Sequence, residues 1–75
     1  MSKYNGYKNW NHWNVSLWIN NDEHLYRMAQ RYCRFYTRLE AATEILKTLS
    51  HDGITHTPDG APYSISSIRS ALVGI

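Results

Sequence analysis

Apolar side chains recur at helical intervals through most of this chain. Trp10, Trp13 and Leu17 stand three and four residues apart, with Trp18 and Ile19 widening the face, which predicts a short helix over about residues 11–20. Asn9 or Asn11 offers its N-cap, and the polar pair Asn20-Asn21 ends it. Asp22 is a second N-cap, followed by Glu23 in a first turn where the helix dipole favours a carboxylate. From there Leu25, Met28, Tyr32, Phe35, Leu39, Ala42, Leu46 and Leu49 keep the spacing 3, 4, 3, 4, 3, 4, 3. That is one helical face sustained for about seven turns, and one long helix or two nearly collinear ones satisfy it. Thr37-Arg-Leu-Glu40 matches a capping box, and a chain this short covers a thirty-residue helix poorly, so the reading is two helices, about 22–36 and 38–50.

Gly53 suits the left-handed residue that closes a helix. Beyond it, Pro58-Asp59-Gly60 reads as a tight turn between short extended pieces, Ile54–Thr57 and Ala61–Tyr63, with Pro62 marking the return as an edge or as irregular. Ser64 caps a last helix over about 65–73, in which Ile65, Ile68 and Leu72 follow the helical interval. Residues 1–9 carry no periodicity and read as an arm, with Tyr4 and Tyr7 as candidates to pin it to the body. The expected fold is mainly α: a single small domain, 1–75, of about four helices with a short β-hairpin or extended turn at about 54–63 before the last. The expected core is Trp13, Leu17, Leu25, Met28, Tyr32, Phe35, Leu39, Leu46, Leu49, Ile68 and Leu72.

Length and composition narrow the possibilities. A chain of 75 residues buries only about 60–65% of the surface its unfolded form exposes, which leaves one thin core and argues against a deep cleft. With 43% hydrophobic and 19% charged residues it has the composition of a globular chain, not a disordered one. The longest apolar runs, Leu17-Trp18-Ile19 and Ala71-Leu72-Val73, are far too short for a membrane span or a signal-peptide core. A soluble, cytoplasmic protein is therefore expected. The single cysteine, Cys33, has no partner for an internal disulfide.

The net charge of +2 hides a division along the chain. Residues 24–39 hold Arg27, Arg31, Arg34 and Arg38 and no acid, a block of +4 between the acids Asp22-Glu23 and a C-terminal part with an excess of acids. The four arginines stand at i, i+4, i+7 and i+11, one side of a helix and its continuation, a row roughly 16 Å long at 1.5 Å per residue. Such a row attracts phosphates or a carboxylate-rich protein face. Tyr26, which flanks the apolar seam with its hydroxyl, and Lys47 complete the candidate partner- or phosphate-binding set. The plainer alternative is a solvated helix face. Glu23 can pair with Arg27, but Arg31 and Arg34 have no acid three or four residues away.

The other chemistry-bearing residues do not assemble on paper. The three tryptophans are placed to stack on nucleic-acid bases, but their helical interval reads better as core packing. His12, His24, His51 and His56 show no metal-ligand spacing with Cys33, Asp52 or Asp59. There is no nucleophile elbow, no phosphate-cradling glycine loop and no paired carboxylates beside a nucleophile. Neither an enzyme nor a cofactor is expected.

Two stretches carry a family likeness. Tyr4-Asn-Gly-Tyr-Lys-Asn-Trp10, Trp13-Asn-Val-Ser-Leu-Trp-Ile-Asn-Asn-Asp-Glu23 and Leu25-Tyr26, with Thr57-Pro-Asp-Gly60 and Tyr63, resemble a family of small proteins carried by phages, prophages and plasmids. His12 stands where that pattern usually has threonine. Ile45–Thr55, Thr57–Ser64 and Ser67–Leu72 look like the helix-turn-helix region of large serine recombinases, although the segment here is not basic, with Lys47 and Arg69 against Asp52 and Asp59. What these likenesses imply, with the small size, is a phage-type accessory protein that inhibits a host defence complex, of anti-CRISPR or antirestriction type, by binding its surface. The alternative is a small helix-turn-helix-like DNA-binding regulator with the arginine helix on phosphates. A third reading pairs the long seam with that of a second copy, as a homodimer.

Overall fold

The computed structural model describes residues 6–75. Four helices follow one another: α1 (Trp10–Asn21), α2 (Glu23–Phe35), α3 (Arg38–His51) and α4 (Ile65–Ala71). Each boundary has a side-chain cause. Asn9 accepts the His12 N–H at 3.0 Å and opens α1. Asp22 serves two helices, donating its backbone N–H to the last turn of α1 at 2.9 Å while its carboxylate accepts the Leu25 N–H at 3.0 Å and starts α2. Thr37 and Glu40 form the expected reciprocal capping box at the head of α3. At the far end of α3, Gly53 adopts φ +77 and the N–H groups of Gly53 and Ile54 return to the carbonyls of Ser50 and Leu49, a Schellman closure that satisfies orphan helix carbonyls. Ser64 caps α4, with Ser67 in the place a glutamate usually takes.

α1 packs on α2, α2 on α3, α3 on α4 and α4 on α1, so the helices close a ring. The core inside it is Val15, Ile19, Ala29, Ala41, Ala42, Ile45, Leu49, Ala61, Tyr63, Ile68, Ala71 and Leu72. Its alanines, all essentially sealed from solvent, let helices approach closely, which is how a short chain closes such a ring. Tyr7, ahead of α1, places its hydroxyl 2.7 Å from Ser16 Oγ and pins the preceding segment as expected, whereas Tyr4 lies outside the described residues. No helix among the described residues is long and apolar enough to cross a membrane.

Three expectations are corrected. The seam from Leu25 to Leu49 is not straight. Tyr36 is extended, and α3 folds back so that the Tyr32 hydroxyl lies 3.4 Å from Thr48 Oγ1, residues that one continuous helix would hold about 24 Å apart. The seam therefore closes within the molecule, with Leu25, Met28, Tyr32 and Leu46 packed against the core. The bend carries Phe35 and Leu39 out of the core: they are 73% and 55% exposed. Finally, α1 turns Val15 and Ile19 inward together with the polar Asn14 and Ser16, so Trp13 and Trp18 are only half-buried and Trp10 and Leu17 are exposed.

The expected hairpin is a tight turn held by one bridge, His56 to Pro62. Within it Thr57 donates its N–H to the Ala61 carbonyl at 2.8 Å, and the Thr57 hydroxyl accepts the Ala61 N–H at 3.0 Å. Gly60 takes φ +98, which L side chains rarely adopt. This turn is tied to α1. The Thr57 hydroxyl donates to Asn14 Oδ1, and Asp59 Oδ2 accepts both Asn14 Nδ2 at 2.8 Å and the Trp18 indole N–H at 2.9 Å.

Candidate binding surface

The arginine row is divided by the bend. Arg27 is held by Glu23 one helical turn away, both side chains largely exposed, a pairing worth at most about 1 kcal/mol and readily exchanged. Arg31 and Arg34 project from α2 into solvent with no ion pair or hydrogen bond among the described residues. Arg38, the first residue of α3, belongs to a different surface. Tyr26 is half-buried on α2, and Lys47 is paired with Glu44 at 3.2 Å on α3. The six predicted residues therefore do not converge on one site.

Arg38 instead meets Arg69 of α4 across an open groove of about 640 Å³ between the start of α3, α4 and His12 of α1. Its apolar part is Leu39, Ile65 and Val73, the last 66% exposed. The Ser66 hydroxyl lies 3.1 Å from His12 Nε2. Burial, and then the charge of Lys8, pull the His12 imidazole below its ordinary value, so near neutral pH the groove's charge comes from its two guanidiniums. The groove thus combines exposed apolar area with two guanidiniums and, among the described residues, no lining carboxylate. Arg69 and His12 were not singled out from sequence as site residues, because periodicity within one helix says nothing about which helices become neighbours.

Burial pushes the Cys33 thiol above its ordinary value, with Arg38 opposing, which keeps it protonated and weakly nucleophilic. Among the described residues no three of His, Cys, Asp and Glu come together as metal ligands do.

Asp59 is perturbed for a structural reason. The hydrogen bonds from Asn14 and then Trp18 stabilise its charged form and lower its pKa, although the group itself is open to solvent. A carboxyl whose folded pKa is depressed adds stability above its unfolded pKa of about 3.9, and that stability is lost as pH falls through the lower folded value. Urea midpoints measured from pH 6 downward should therefore fall more steeply below about pH 4 for the native chain than for Asp59→Asn, whose side chain does not titrate.

Fold and surface together define a small α-helical domain with an exposed apolar and cationic groove. Over residues 1–73 the chain matches the Family of unknown function (DUF7249), and it belongs to that family. It has no match among curated proteins or among solved structures.

Proposed function

We propose that this protein acts by binding, covering an acidic face of a protein partner with the groove between α3 and α4. The observation that carries this reading is the pair Arg38 and Arg69, which line one groove with Leu39, Ile65 and Val73, no acid among the lining residues. Charge of one sign beside exposed apolar side chains supports both steering and a desolvated centre. The specific form we propose, supported by the likeness to proteins of phages and plasmids, is an inhibitor that occupies a functional site on a host defence complex of CRISPR or restriction type. Such a protein needs surface and no chemistry.

Expressing the chain in a bacterial host that carries an active restriction or CRISPR system should raise the plating efficiency of a sensitive phage. Arg38→Glu with Arg69→Glu should abolish the effect, and Arg27→Glu should leave it intact. Protection unaffected by the double reversal would remove the groove from the reading. The exposed Arg31 and Arg34 favour one alternative, a DNA-binding regulator. Tight duplex binding that falls steeply between about 50 and 200 mM salt, and is lost in Arg31→Glu/Arg34→Glu, would replace the inhibitor reading.

A further inference from the structure

A second concavity, of about 380 Å³, lies where the α1–α2 corner, the end of α3 and the bridged turn meet. It shares no lining residue with the arginine groove, and among the described residues no Lys or Arg borders it, its imidazoles being His24 and His56. Its size falls within the range of small-molecule sites. The apolar lining comes from Leu25, Leu49, Ile54 and Pro58, with the aromatic rings of Trp18 and Tyr63 beside them.

Tyr63 and Asp22 in this lining keep unused hydrogen-bonding capacity. Tyr63 is only 9% exposed, yet its phenol hydroxyl has no hydrogen-bond partner among the described residues. No side-chain oxygen among the described residues is both enclosed and unpartnered, so the hydroxyl reaches solvent, and its residue lines the concavity. Asp22 uses one carboxylate oxygen to cap α2, and the other accepts no hydrogen bond among the described residues. Asp22 and Tyr63 line the same concavity, and burial, and then the negative charge of Asp22, push the Tyr63 phenol above its ordinary value.

We propose that this concavity binds a small primary amine with an aromatic or branched aliphatic body, its ammonium held by Asp22 and the Tyr63 hydroxyl. The carboxylate supplies a charge-assisted hydrogen bond. The indole and phenol rings attract a cation, and Asp22 is the one carboxylate in the lining, which has no Lys or Arg among the described residues. A carboxylate ligand would meet the like charge of Asp22 with no Lys or Arg in the lining to offset it.

Titration of the full chain with 2-phenylethylamine, ethylbenzene and phenylacetate, followed by amide and indole N–H chemical shifts, tests the assignment. The amine should give saturable shifts at the Trp18 indole and at the Leu25 and Ile54 amides, and should bind at least about tenfold more tightly than ethylbenzene. Phenylacetate should not bind. Asp22→Asn keeps a side chain that caps helices as well as aspartate does and should weaken the amine about tenfold, with a smaller loss for Tyr63→Phe. Equal affinity for the amine and the hydrocarbon, or no saturable shift, would overturn the proposal. The three-probe comparison on the native chain decides this even where a variant folds poorly.

Discussion

Replacing Asn14 by alanine should destabilise the protein by about 3 kcal/mol. Asn14 is buried on α1, and its amide is used at both ends, accepting from the Thr57 hydroxyl and donating to Asp59. Truncation leaves a buried hydroxyl short of its acceptor, a loss of about 1–3 kcal/mol, and opens a cavity that adds to it. A chain of 75 residues has about 4–11 kcal/mol of total stability at 0.05–0.15 kcal/mol per residue, so the change removes a large share. Thr57→Val, which keeps the shape, should cost about 1–3 kcal/mol by stranding Asn14 Oδ1 and the Ala61 N–H. Because both variants break the same bond, the double variant should be less destabilised than the sum of the two. Urea midpoints for the four proteins measure this, and strictly additive losses would show that the turn is not held through Asn14.

That network joins two stretches that are far apart in the sequence. Trp13-Asn-Val15 and Thr57-Pro-Asp-Gly60 lie more than forty positions apart, and in the folded chain Asn14 meets Thr57 and Asp59 directly. The two quoted stretches are thus halves of one hydrogen-bonded joint that docks the turn on α1. Their chemistry is structural. A turn motif such as Thr-Pro-Asp-Gly announces its own backbone conformation in sequence, but nothing local announces that its carboxylate will accept two hydrogen bonds from a distant helix.

Capping was the most legible feature, since a cap depends on residues three apart in the chain. Asp22, Thr37 with Glu40, Gly53 and Ser64 all act where the sequence places them, and the helix ends fall within two residues of those expected. The arginine row was legible as spacing and misleading as geometry. Its first three members share α2, but the extended backbone at Tyr36 and Thr37 transfers Arg38 to the groove shared with Arg69. A single axis had been assumed for positions on both sides of a break that the capping box itself predicted. The same assumption misplaced part of the core.

Within α3, Ile45→Ala and Leu39→Ala should therefore behave oppositely to their weight in the apolar repeat. Leu39 fits the 3-4 series and Ile45 does not, yet Leu39 is more than half exposed and Ile45 is 1% exposed. In a two-sided ring α3 must face both α2 and α4, and the side that does so carries Ala41, Ala42, Ile45 and Leu49. The Ile45 side chain fills the space that those small alanines leave between helices, and its removal should cost about 2–5 kcal/mol through lost transfer energy and an uncollapsed cavity. Leu39→Ala should change stability by less than about 0.5 kcal/mol while removing apolar area from the groove beside Arg38. Denaturant midpoints separate the two variants. A loss at Leu39 equal to that at Ile45 would mean that the seam runs unbroken through the bend, and the exposed groove, with the binding role built on it, would vanish into the core.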